Sequence, residues 1–113
     1  MGRSPRRALV SSPSELNLVR IRPGATADVD DAVEWYEAQR AGLGSEFVLE
    51  LDAAIERAAL NPDVYAVQYQ GARRVLLRRF PYSVYYLIEA GAIEVFGVLD
   101  QHRVHRAWQS RLP

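Results

Sequence analysis

The sequence predicts an α+β domain: a first strand, an antiparallel pair of helices, then a three-stranded antiparallel meander that completes a small sheet, with a short helical tail at the C terminus. Three observations predict it. Apolar residues recur at helical spacing between residues 26 and 60, β-rich runs fill residues 71 to 99, and Gly, Pro and Asn mark the boundaries. With 113 residues there is room for one core of ordinary size. A chain of this length buries roughly 60–70% of its unfolded surface and folds without covalent staples.

Residues 1 to 15 mix Ser, Pro and Arg without periodicity and read as a poorly ordered basic extension, leaving residues 16–113 as the single domain. Leu16 to Arg22 alternates like a short strand, ended by Pro23-Gly24. Thr26 is placed to cap the first helix, in which Val29, Ala32, Val33 and Tyr36 form one apolar face. Gly42 and Gly44 break that helix. Ser45 is placed to cap the second, in which Phe47, Leu51, Ala54, Ile55 and Ala58 repeat the spacing up to Asn61-Pro62. The connection of about five residues makes the pair an antiparallel hairpin.

Asp63 to Gln70 reads as a connector with a strand-like end at Val67 to Tyr69. Strands follow over Ala72 to Arg79, Tyr82 to Glu89 and Ile93 to Leu99, joined at Phe80-Pro81 and by a tight turn at Ala90-Gly91. These strands are apolar at both parities, so both faces of the sheet are covered. The helices supply one cover; a partner, a ligand or the tail supplies the other. The tail itself suits a short helix from Val104 to Arg111.

Composition narrows the chemistry. The absence of cysteine excludes disulfides, thiolate zinc sites and cysteine nucleophiles, and no cofactor or metal is expected. No apolar run approaches the roughly 20 residues that span a bilayer, and Ala8 to Val10 is too short for a signal peptide. A cytoplasmic protein without membrane association is the expectation. The net charge is zero, but residues 1–22 and 71–113 are basic and residues 23–70 strongly acidic. Every basic residue is arginine, so a mechanism that needs lysine is excluded.

Four blocks in order, WYEAQRAGLGSEF, NPDVY, GARRVLLRRFPYSVYY and GVLDQHRVHRAW, resemble the RelE/ParE superfamily of bacterial toxins, in the branch of plasmid-stabilisation proteins. The similarity runs from about Leu18 to Arg111, and its most specific part is Arg73, Leu77, Phe80, Pro81, Tyr82 and Tyr85 or Tyr86. The resemblance implies a growth-inhibiting toxin of a type II toxin-antitoxin module, held in a hetero-oligomer by a small DNA-binding antitoxin. ParE-like members poison DNA gyrase without known chemistry of their own. RelE-like members cut mRNA on the ribosome.

For a nuclease, the family pattern falls on Arg73 and Arg103 as phosphate ligands, with Tyr82 or Tyr85 stacking a base and His102 or His105 moving a proton. Against it, Asp100 stands where many relatives have histidine, and Val104-His105 replaces a usual Asp-Pro. A carboxylate beside RNA phosphates repels them. The gyrase-directed reading therefore leads, and the two departures also leave open a non-toxic module that only binds an antitoxin. In either case Arg73, Arg74, Arg78 and Arg79, interleaved with Leu76, Leu77 and Phe80, suit an acidic and apolar antitoxin segment. Tyr82, Tyr85 and Trp108 extend that surface; plain packing is the alternative role for these aromatics, and blunting of a strand edge for Arg78 and Arg79.

Overall fold

The computed structural model describes residues 18–102 and 106–112; the predicted extension, Arg103, Val104 and His105 lie outside them. Strand β1 (Leu18–Ile21) leads into α1 (Pro23–Gln39) and α2 (Leu43–Leu60). A single 3₁₀ turn (Pro62–Val64) then feeds β2 (Val67–Tyr69), β3 (Ala72–Leu76), β4 (Tyr82–Glu89) and β5 (Ala92–Asp100), and α3 (Arg106–Gln109) follows. The five strands form one sheet in the order β1-β5-β4-β3-β2, with β1 parallel to β5 and every other pair antiparallel. The meander thus has four strands instead of the expected three. The added member is β2, the strand-like end of the connector at Val67 to Tyr69, which turns into β3 through Gln70-Gly71, both at positive φ, as Ala90-Gly91 does between β4 and β5.

Both predicted helix caps move. Helix α1 begins at Pro23, and the carbonyl of Arg22 accepts from the amides of Ala25 and Thr26. Proline at a first helical position has no amide to leave unpaired and a backbone angle already helical, so it starts this helix instead of merely ending the strand. Helix α2 begins at Leu43 with Gly42 in the left-handed conformation at its cap, which places Ser45 inside the helix. The connection shrinks to Arg40, Ala41 and Gly42.

Glu37 makes that tight turn possible. From the last turn of α1 its carboxylate accepts the amide of Gly42 (2.9 Å) and that of Gly44 (2.9 Å), satisfying the cap residue of α2 and one of the free donors in its first turn. Gly44 is helical, not a breaker: a Cβ there would sit 2.9 Å from Glu37 Oε1 and 3.1 Å from Val33, so the two helices meet over a bare backbone. The two amide bonds hold the Glu37 carboxyl below its ordinary value of 4.5. Its contribution is therefore present above the unfolded value and lost as pH falls through the lower folded one. Acid titration of stability is expected to show a shallower decline for Glu37→Gln than for the parent below about pH 4.5; superimposable curves would deny Glu37 this role.

The sheet separates two cores. On the helix side, Phe47, Leu51, Ala54 and Ala58 of α2 pack on Val75, Val84, Tyr86, Ile93, Val95 and Val98. On the other side, Trp108 covers Ala72, Tyr85, Leu87, Phe96 and Leu99, with Leu112 against them. Of the three covers the sequence allowed for the second face, the C-terminal segment supplies it. A bulge decides which β5 residues face where: Tyr85 pairs with Gly97 but Tyr86 with Val95, leaving Phe96 as the extra residue. The extra residue shifts parity, so Val95 and Val98, three apart, share the helix-side core while Phe96 and Leu99 share the other.

Strand β3 stops at Leu76, short of the predicted Arg79, because the amides of Arg78 (3.1 Å) and Arg79 (3.2 Å) are taken by the Glu50 carboxylate of α2 and not by a neighbouring strand. The tail helix spans only Arg106–Gln109, within the predicted range. Among the described residues, no helix is long and apolar enough to cross a membrane.

Candidate functional site

The two arginines of β3 differ in what surrounds them. Arg73 opens β3 opposite Tyr86, and its Nη1 donates to the carbonyls of Asp63 (3.0 Å) and Tyr65 (2.7 Å). The Tyr86 hydroxyl donates to the Pro62 carbonyl (2.8 Å), and burial first of all pushes its pKa up to about 12. Together these side chains pin the segment between α2 and β2, whose carbonyls no strand receives. Arg73→Ala is expected to cost about 1–2 kcal/mol in urea denaturation; a change within error would show that neither carbonyl depends on it. Arg74, the next residue, is half-buried, lies opposite Tyr85, and forms no ion pair among the described residues.

The Leu77-to-Pro81 loop carries the other two. Arg79 reaches Glu46 (3.2 Å) and Glu50 (3.9 Å) on α2 and lies over the Phe80 ring, with its carbon 5.4 Å from the ring centre. The Glu46 carboxyl is held below its ordinary value, chiefly by the hydrogen bond from Arg79. Arg78 is exposed, its amide on Glu50 and its guanidinium in no ion pair among the described residues. Backbone anchoring by one carboxylate thus fixes a loop that offers one free guanidinium.

The aromatic members of the predicted set mostly face inward. Phe80 joins a cluster with Tyr36, Phe47 and Tyr82, ring centres 4.9 to 6.0 Å apart. Tyr85 is buried and stacks on Trp108 at 4.6 Å with the planes 17° apart. Trp108 also meets Tyr69 edge-on at 6.3 Å. The exposed part of the predicted surface is therefore Leu76, Arg78 and Arg79, with Arg73, Arg74 and Tyr82 half-exposed.

Of the predicted nuclease residues that are described, Arg73 and His102 lie apart along the sheet. Asp100 Oδ1 accepts the His102 amide (2.7 Å) and faces His102 Nδ1 at 3.0 Å, at the far end of β5 from the Arg73–Tyr86 pair. Arg103 and His105 lie outside the described residues. Among the described residues no group of three or more His, Cys, Asp or Glu side chains is arranged to hold a metal ion.

Two features escaped the sequence reading. The first is a groove of about 670 Å³ beside α1, lined by Asp31, Trp35 and Tyr36 on one wall and Pro81, Tyr82 and Asp100 on the other. Trp35 is 58% exposed there, edge-on to Tyr36 at 5.1 Å. Burial, and then the Asp100 charge, raise the Tyr36 pKa. The spacing of Asp31 and Trp35, four apart on one helix, was the available signal. The second is Asp28, whose carboxylate takes both prongs of Arg111 (Nη1 at 2.6 Å, Nη2 at 3.0 Å) and the Val98 amide at 2.9 Å. The Arg111 pKa is raised mainly by that bond. Eighty-three residues separate the pair, and no local pattern signals it.

Comparison with known proteins follows the fold. No curated protein matches the chain. A chain of the solved chromosomal ParDE toxin-antitoxin system from P. aeruginosa superposes with a TM-score of 0.68 at 16% identity, over 76% of this chain and 97% of that one. At that identity the likeness concerns the fold, and it supports the α+β architecture expected from the sequence. The pattern of the family described as the ParE toxin of the type II toxin-antitoxin system parDE matches residues 19–105, which takes in the strand, the helical hairpin and the whole meander. The chain belongs to the ParE toxin family of type II toxin-antitoxin systems.

Proposed function

We propose that this protein is a toxin neutralised by a cognate antitoxin and directed at DNA gyrase, acting by binding and without catalysis of its own. The family match over residues 19–105 carries the reading. It is supported by the commitment of Arg73 to two backbone carbonyls, which leaves that guanidinium poorly placed to serve a scissile phosphate. Asp100, set beside His102 at the mouth of the groove, adds negative charge where RNA would need the opposite.

The antitoxin then docks where apolar surface and unpaired arginine coincide. Arg74 and the exposed Leu76 of β3, with Tyr69 of β2 and Arg78 of the following loop, offer that combination to an acidic, apolar segment. Arg79, already occupied by Glu46 and Glu50, contributes less. Trp108 and Tyr85 act beneath this surface by holding its shape.

Expression of the chain without its antitoxin is expected to arrest growth, and co-expression to restore it. Purified toxin is expected to inhibit gyrase supercoiling and to leave translated mRNA uncut in primer extension. Normal growth at good soluble expression would leave a non-toxic binding module; cleaved mRNA with intact supercoiling would establish the ribosome-directed alternative instead.

A further inference from the structure

The groove beside α1 has the opposite character to the arginine-bearing surface, and its chemistry fits one kind of guest. Trp35 presents an exposed indole, and Asp31, one helical turn earlier, presents an exposed carboxylate in no ion pair among the described residues. Tyr36 beside Trp35 and Tyr82 on the opposite wall add aromatic lining, and Asp100 adds charge next to Tyr82. A flat aromatic face flanked by a carboxylate is the setting in which a guanidinium gains both stacking and ionic contact.

The same end of the molecule supplies such a guanidinium. Pro81 lines the groove, and Arg78 lies three residues away in the same loop, exposed and unpaired among the described residues. Glu50 holds the loop backbone at both Arg78 and Arg79, so its conformation is set before any partner arrives. Arg79 is occupied by α2, which singles out Arg78. The chain has a formal net charge of zero, so two copies meet without long-range repulsion while opposite charges face each other locally.

We propose that the groove receives Arg78 of a second copy of this chain, and that donor and acceptor, lying side by side on each copy, close a two-fold dimer. The proposal stands on charge and shape alone and does not require the toxin reading.

Sedimentation of the purified full chain is expected to show a concentration-dependent dimer at low ionic strength. The dimer weakens at about 1 M salt, where the screening length falls to about 3 Å. Asp31→Arg and Arg78→Glu each place like charges at both contacts and are expected to weaken it by about tenfold or more. Trp35→Ala is expected to do so by about tenfold. Mixing the Asp31→Arg and Arg78→Glu proteins is expected to restore association. In that mixed dimer one contact is native and the other carries the reversed pair. Circular dichroism of each variant checks that the fold is kept, and the exposed Asp31 substitution serves if Trp35→Ala fails to fold. A chain monomeric at every concentration, a dimer indifferent to these substitutions, or a mixture that stays monomeric overturns the proposal. So does a monomer whose Asp31→Arg variant instead loses antitoxin binding, because the groove then belongs to the antitoxin.

Discussion

Trp108→Ala is expected to destabilise the protein by about 3–5 kcal/mol, the range for removing a fully packed aromatic from a core. The side chain is 3% exposed and stacks on Tyr85, with Phe96 and Tyr69 at its edges. Without it, Tyr85, Leu87, Phe96 and Leu99 lose their cover, since they occupy the sheet face opposite the helices. Helix α3 has four residues and no stability of its own, so the tail depends on tertiary contacts such as these to stay in place. Urea denaturation followed by far-ultraviolet dichroism measures the loss, which corresponds to a fall in melting temperature of about 4–8 °C per kcal/mol for a domain near this size. Trp35→Ala provides the contrast: it removes an exposed indole and is expected to stay within about 0.5 kcal/mol. A small effect at Trp108 would mean that the second core contributes little to the fold.

Asp28→Ala is the other large effect, about 2–4 kcal/mol. It removes the acceptor of the Val98 amide beside the β5 bulge and leaves the half-buried Arg111 guanidinium without its carboxylate. Arg111 also donates to the Phe96 carbonyl at 3.2 Å, so the pair joins the N-terminal part of α1, the bulge and the tail at one point. Asp28→Asn keeps an acceptor for Val98 and is expected to cost about half as much. Arg111→Lys is expected to behave more like Arg111→Ala than like the parent, because an ammonium does not reproduce the two-pronged contact. A double-mutant cycle on Asp28 and Arg111 reads the coupling directly. Coupling below about 0.5 kcal/mol would show that the two ends are held by packing alone.

Most of the fold could be read from local patterns. Val29, Ala32, Val33 and Tyr36 mark one helix face and Phe47, Leu51, Ala54 and Ala58 another, and all of them pack in the helix-side core. The Ala90-Gly91 turn and the limits of β4 also follow from short-range sequence, because a two-residue hairpin depends on its own backbone angles. Boundaries fail where a distant group claims a backbone amide. Glu50 of α2 ends β3 early by bonding Arg78 and Arg79, and Glu37 of α1 moves the start of α2 to Leu43 by bonding Gly42 and Gly44.

The candidate site was less legible. In sequence only Arg73 stands out, through the family pattern, and Arg74, Arg78 and Arg79 look equivalent; in the fold two carbonyls hold Arg73, two carboxylates hold Arg79, and Arg74 and Arg78 form no ion pair among the described residues. Hydrogen-bonding capacity is a property of a residue type, but its use depends on which elements the fold brings within about 3 Å. The same limit hid the groove, whose two walls come from α1 and from the ends of β4 and β5.

By itself the sequence determined the α+β class, the helical hairpin, the two-sided sheet and the family, because periodicity, turn residues and motif spacing are local and survive without coordinates. Tertiary structure alone decided that the tail closes the second face, that Asp28 and Arg111 join segments 83 residues apart, and which arginines are left without an ion pair among the described residues. Those outcomes rest on contacts between residues remote in sequence, whose energies exist only once the chain has closed upon itself.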